Sequence, residues 1–184
     1  MSETLDVVDE KGCPTGEIVE REYAHRHSIR HRTAHLWLVR KKDGAIQLLL
    51  QKRAAHKESY PGCYDISSAG HIPAGVDYKP SAIRELKEEL GIDADESDLI
   101  YCGYRDIVKD ECFGGKPFHD RQYSMVFFTW LDLPENGFSV DKNEVESVCW
   151  MDFEQCCLGV KNNLFPNCIA QEELQMLKDA LENS

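Results

Sequence analysis

The sequence predicts an α/β fold in which strands surround a central helix and a second helix closes the chain. Three observations carry that reading. Lys42-Asp43-Gly44 separates two apolar runs, Leu36 to Val39 and Ile46 to Lys52, and Asp-Gly tolerates the positive φ of a tight hairpin turn. Pro80 to Gly91 carries helix punctuation at both ends, a proline suited to the first turn and a glycine suited to a left-handed cap. Leu174, Leu177 and Leu181 recur three and four apart and stripe one face of a C-terminal helix at about 170–182.

The elements follow in order. Residues 4–20 read as an N-terminal hairpin turning at Asp9-Glu10-Lys11-Gly12. His25, His27, His31 and His35 come next, and the last three, spaced by four, fit one side of a helix. No cysteine or carboxylate stands at a matching offset, so a polar segment meeting water or substrate is expected there rather than a zinc site. After the hairpin around Gly44, residues 53–63 form a loop carrying Arg53, His56 and Lys57. Tyr64 to Ile72 reads as a strand, and Pro73 and Gly75 ease the loop that returns to the central helix.

Leu99 to Val108 and Gln122 to Leu131 are expected as strands flanking a charged loop at 109–120. That loop holds Lys109, Asp110, Glu111, His119 and Asp120, read either as a source of specificity or of one further catalytic carboxylate, or as a solvated tip, the role expected of any single one of them. Glu144 to Trp150 is the last strand, and Asp152 with Gln155 fits a capping box opening a helix that ends at Gly159. With no internal repeat, low-complexity tract or linker, residues 1–184 read as one domain.

The stretch from Gly70 to Ile92 concentrates the chemistry. On the predicted helix Ile83, Leu86 and Leu90 form an apolar stripe, and Glu85, Glu88 and Glu89 gather on a neighbouring face. Like charges at this spacing repel. Hard divalent cations such as Mg2+ prefer oxygen ligands and are commonly shared between carboxylates and substrate phosphates, so the acids read as a metal platform. Arg84, four residues before Glu88, is placed to hold one carboxylate. Arg53 and Lys57 read equally as basic groups offsetting phosphate charge that a metal leaves uncompensated and as ordinary surface side chains.

Composition narrows the classes. Lys and Arg total 21 against 33 Asp and Glu, a net charge of −12, which disfavours nucleic-acid polymers and anionic membranes as partners. No apolar run approaches the ~20 residues of a membrane span, and the acidic N-terminus lacks the pattern of a signal peptide. Eight cysteines without a C-x-x-C pair read as reduced thiols in a cytoplasmic protein.

The longer spacing is more specific than the acids alone. Gly70, Arg84, Glu85, Leu86, Glu88, Glu89, Gly91 and Ile92 fall at the intervals of the Nudix box, G-x5-E-x7-R-E-U-x-E-E-x-G-U with U aliphatic. Eight of its nine fixed positions match, and Val76 stands where the pattern has Glu. The chain thus resembles a Nudix protein. The resemblance implies an α/β/α sandwich with a mixed sheet and a central catalytic helix, and hydrolysis of a nucleoside diphosphate derivative or similar small diphosphate with Mg2+ or Mn2+. It implies metal-binding and base-supplying roles for Glu85, Glu88 and Glu89, and an orienting role for Arg84. It also admits a homodimer, a state many members adopt.

A second resemblance overlaps the first. DEKGCPTGEI, AHRHSIRH and QKRAAHKESYPGCYDISSAGH look like the type I isopentenyl-diphosphate isomerases, which share the Nudix fold. It implies metal-binding histidines at His25, His31 and His71, the last also a substrate-binding candidate with Arg53 and Lys57. The isomerases' proton-transferring cysteine falls at Ala69 and their catalytic glutamate near Gln122, and neither replacement transfers a proton. The pattern therefore fits a hydrolase of the isomerase-like branch. The alternatives are isomerase activity, or a non-catalytic nucleotide-binding module.

Overall fold

The computed structural model of the chain describes residues 3–183. Its axis is β3 (His31–Lys42), which pairs antiparallel with β4 (Ala45–Arg53) and with β6 (Ser68–His71), and parallel with β8 (Lys116–Trp130). At the β3–β4 turn Asp43 and Gly44 both take positive φ, 51° and 82°, which matches the twist of a two-residue hairpin. β4 also pairs with β5 (Tyr64–Asp65) and β9 (Val145–Asp152), and β8 with β7 (Ile100–Phe113). These seven strands form a mixed sheet. A separate ribbon of β1 (Thr4–Val8) and β2 (Pro14–Glu20) precedes the short helix α1 (Arg21–Arg26).

Strand alternation assigns the two faces. Ala34, Leu36 and Leu38 of β3 point into one core with Leu86 and Leu90 of α2 (Tyr78–Leu90). Trp37 and Val39 point into the other, built with α3 (Phe153–Lys161) and α4 (Gln171–Glu182). Helices on both faces of a mixed sheet make the expected α/β/α sandwich. Helix α2 runs close to its predicted limits, and Gly91 ends it at φ 72°, the left-handed cap expected of glycine. No helix among the described residues is long and apolar enough to cross a membrane, and all eight cysteines are free.

Several local expectations are corrected. Residues 109–120 are not a loop but the outer part of the long β7–β8 hairpin, turning at Gly114 and Gly115. The cross-strand ladder overrides the polar composition there. His27, His31 and His35 do not share a helix: His27 caps α1, while His31 and His35 lie on β3. Tyr64 to Ile72 is interrupted into β5 and β6. Asp152 precedes α3 without a side-chain capping bond, and the helix passes Gly159 to reach Lys161.

Helix α4 is fastened to the sheet by a buried acid that no motif announces. Glu173, with 2% of its side chain exposed, accepts from Arg105 Nη1 at 2.7 Å, His35 Nδ1 at 3.0 Å and Trp37 Nε1 at 3.0 Å. Burial alone would raise its pKa, but His35, Arg105 and Trp37 overrule it and hold the carboxyl below its ordinary value. Removing the acid strands Arg105 and His35, so Glu173→Ala is expected to lose about 3 to 5 kcal/mol in urea unfolding at neutral pH. A depressed acid stabilises above its unfolded pKa of about 4.3 and loses that contribution as pH falls through the lower folded value. The gap between wild type and Glu173→Ala therefore narrows below about pH 4.

Candidate active site

Strand β6 and helix α2 bring the box residues together. Ser68 and Gly70 face α2, while Ala69 and His71 face the opposite side of the sheet, as strand alternation requires. A Cβ on Gly70 would lie 2.1 Å from Glu85 Cδ, so the strand meets this acid at backbone distance. Arg84 clamps the group: Nη2 donates to Glu85 Oε1 at 2.6 Å and to the His71 carbonyl at 3.2 Å, and Nη1 donates to Glu88 Oε2 at 2.8 Å.

The three acids are not equivalent. Glu88 is exposed, whereas Glu85 is half-buried and Glu89 is 8% exposed. The expected single carboxylate face is thus split. Glu85 and Glu89, one turn apart, lie against β6, with Glu88 exposed beside Arg84. Burial pushes Glu89 up to about 8, tempered by the Ser68 hydroxyl and reinforced by Glu85, Asp65 and Glu144. Burial likewise raises Glu85 to about 7, against the pull of Arg84. Glu89 Oε2 is buried without a hydrogen-bond partner. Crowded, partly desolvated carboxylates with one orphaned oxygen and a single clamping guanidinium are a donor set that fits a hard divalent cation.

The basic candidates are engaged by Asp65 and Glu144, acids that lie near Glu89. Lys57 pairs with Glu144. Arg53 donates to Asp65 at 3.2 Å and to the Ser59 carbonyl, which shapes the 53–63 loop.

On the other face of β6, His71 joins a second cluster. His25 Nε2 and His71 Nε2 are 3.0 Å apart, and one nitrogen from each of His25, His31 and His71 lies within 4.8 Å of the others. α1 delivers His25, β3 His31 and β6 His71. His31 Nδ1 is fixed by the Ile29 carbonyl at 2.8 Å, leaving its buried Nε2 without a partner. Burial lowers His25, drives His31 down to about 4 and lowers His71 well below the usual imidazole value, so all three are neutral near pH 7. Asp120 lies beside them, 3.8 Å from His25, with buried Oδ1 unpartnered and its pKa raised by burial. The three neutral imidazoles, one nitrogen of each within 4.8 Å of the others, suit a borderline metal ion such as Mn2+ or Zn2+, while Asp120 faces the Nδ1 side of His25. The period-two series Asp120, Gln122, Ser124 was the available signal that these side chains share a strand face. Ala69 stands opposite His35, and Gln122 accepts from Thr33 at 3.3 Å.

Helix α2 thus carries its acids beneath a mixed sheet, with a glycine-tight approach at the first of them. Residues 29–167 match the NUDIX domain model, and the chain belongs to the Nudix family. It is a hydrolase acting on phosphorus-containing anhydrides. An uncharacterized Nudix hydrolase of Clostridium acetobutylicum is 32% identical over 162 residues, covering 88% of this chain and 76% of that protein. Nudix hydrolase 3 of Arabidopsis thaliana is 36% identical over 157 residues, 83% of this chain but only 20% of the plant protein. The isopentenyl-diphosphate Delta-isomerase of Escherichia coli is 26% identical over 160 residues, 86% of this chain and 82% of the isomerase. Among solved structures, a Deinococcus radiodurans protein superposes with a TM-score of 0.67 at 18% identity, covering 96% of this chain and 98% of that one.

Proposed function

We propose that the chain is a metal-dependent hydrolase cleaving the diphosphate linkage of a nucleoside diphosphate derivative or similar small diphosphate. The observation that carries this is the packing of half-buried Glu85 and buried Glu89 against β6 at Gly70 and Ser68, with Glu89 Oε2 unpartnered. Glu85, Glu88 and Glu89 would hold Mg2+ or Mn2+. When bound, the ion supplies charge neutralisation at the diphosphate, activation of water and stabilisation of the leaving oxygen. Arg84 holds Glu85 and Glu88 and ties the helix to the His71 carbonyl, which fixes the acids before substrate arrives. Arg53 and Lys57 would receive phosphate oxygens, Lys57 exchanging its Glu144 partner for substrate, whereas His71 faces the histidine cluster across the sheet.

The isomerase reading has one observation in its favour, the histidine cluster. Ala69 and Gln122 oppose it, because no group at either position donates or accepts a proton at neutral pH. The test is product release from a panel of nucleoside diphosphates, nucleotide sugars, a dinucleotide and isopentenyl diphosphate, with and without Mg2+. Metal-dependent hydrolysis of one class is expected. Isomerised isopentenyl diphosphate, or binding without turnover across the panel, would contradict the proposal.

A further inference from the structure

The family match begins at residue 29, so the β1–β2 ribbon and α1 lie outside it. The ribbon nonetheless touches the box directly. The loop from His71 to Asp77 joins β6 to α2 and sets where the helix begins. Ala74 N donates to the Thr4 carbonyl at 2.8 Å, and Leu5 forms a β-bridge with Pro73. Gly75 N donates to Asp6 Oδ2 at 2.9 Å. Arg32 Nη2 donates to that same oxygen at 2.6 Å and to the Val76 carbonyl at 2.9 Å, while its guanidinium lies 5.3 Å from the Tyr78 ring centre. Asp6 and Arg32 are 8% and 7% exposed. A buried carboxylate shared between a loop N–H and a guanidinium that grips the next carbonyl is a specific fastening, since losing either partner leaves a charge unpaired.

Val76 occupies the position where the box pattern has Glu, and its side chain packs into the core. The carboxylate serving this loop comes instead from β1. We propose that Asp6 is a positioning residue for the box. Through Arg32, Gly75 and Val76 it fixes the start of α2, so that Arg84 and Glu85 meet Gly70 in register. The proposal rests on the reading of Glu85, Glu88 and Glu89 as the metal site. The tolerance is narrow: Gly70 leaves no room for even one methyl beside Glu85. The C-terminal end of α2 is held separately, by Ser139 N on the Leu90 carbonyl and Asp141 N on the Glu89 carbonyl. Loss of the strap therefore tilts the N-terminal half of the helix rather than releasing it.

The test is Mn2+ binding, followed by electron paramagnetic resonance, in wild type, Glu89→Gln, Asp6→Asn, Arg32→Lys and Leu177→Val. Box binding is the part that Glu89→Gln abolishes. Asp6→Asn and Arg32→Lys are expected to weaken it about tenfold, as loss of groups that orient metal-holding residues does. Leu177→Val, which loosens the fully buried contact of α4 far from the box, keeps wild-type affinity and separates positioning from general destabilisation. If Asp6→Asn does not fold, Arg32→Lys decides alone. Wild-type Mn2+ affinity in the strap variants, or an equal loss in Leu177→Val, would overturn the proposal. Unchanged binding in Glu89→Gln would instead overturn the metal site itself.

Discussion

Glu89→Gln is expected to cut metal-dependent turnover by about a thousandfold, several kcal/mol of lost charge stabilisation at the reacting phosphoryl group. The change is nearly isosteric, so it removes charge and keeps shape. Glu89 carries a carboxyl group to a buried position where burial opposes ionisation and where one oxygen has no protein partner. An acid whose folded pKa is raised costs stability above its unfolded pKa, so without metal the amide melts no lower than wild type near pH 7. Higher stability with lost activity is the signature of a group kept for function. Glu88→Gln, exposed beside Arg84, is expected to lose activity as well with little change in melting. Steady-state rates and thermal unfolding of both variants check this, and full activity in both would remove them from the site.

The second large effect is expected at Gly70. Its Cβ would fall 2.1 Å from Glu85 Cδ and 2.2 Å from Glu85 Cγ, so Gly70→Ala forces the acid or the strand to move. Glu85 cannot swing freely, because Arg84 holds it at 2.6 Å and also holds Glu88 and the His71 carbonyl. A displacement near 1 Å at a reacting centre costs on the order of 100-fold in rate. Gly70→Ala is therefore expected to lose about that much of kcat while the protein stays folded, as circular dichroism would show. Wild-type kcat in Gly70→Ala would mean that Glu85 does not act from its present position.

The central helix and its acids were legible because they depend on local rules. Pro80, Gly91 and the three- and four-residue spacing fix the element, its end and its faces without reference to the rest of the chain. Which acids would be buried was not legible, since that depends on where β6 crosses the helix. The histidines show the same limit. Four-residue spacing alone suggested a helix for His27, His31 and His35; the cluster that forms is His25, His31 and His71, the set that the isomerase resemblance implied and that spacing could not show, assembled from α1, β3 and β6. Asp6 and Glu173 carry no motif. Their partners Arg32 and Arg105 are 26 and 68 residues away, and only the folded register brings them together. The charged 109–120 segment reads as a loop in the sequence because its ladder partners lie within the segment itself and its tip is glycine-rich.

The most direct measurement is hydrolysis of the diphosphate panel in 18O-labelled water, wild type against Glu89→Gln, with Mg2+ present and then chelated. 18O is expected in a phosphate product of one substrate class from wild type with Mg2+, and almost none after chelation or in the variant. Equal labelling by Glu89→Gln, or labelling that persists without a divalent ion, would contradict it.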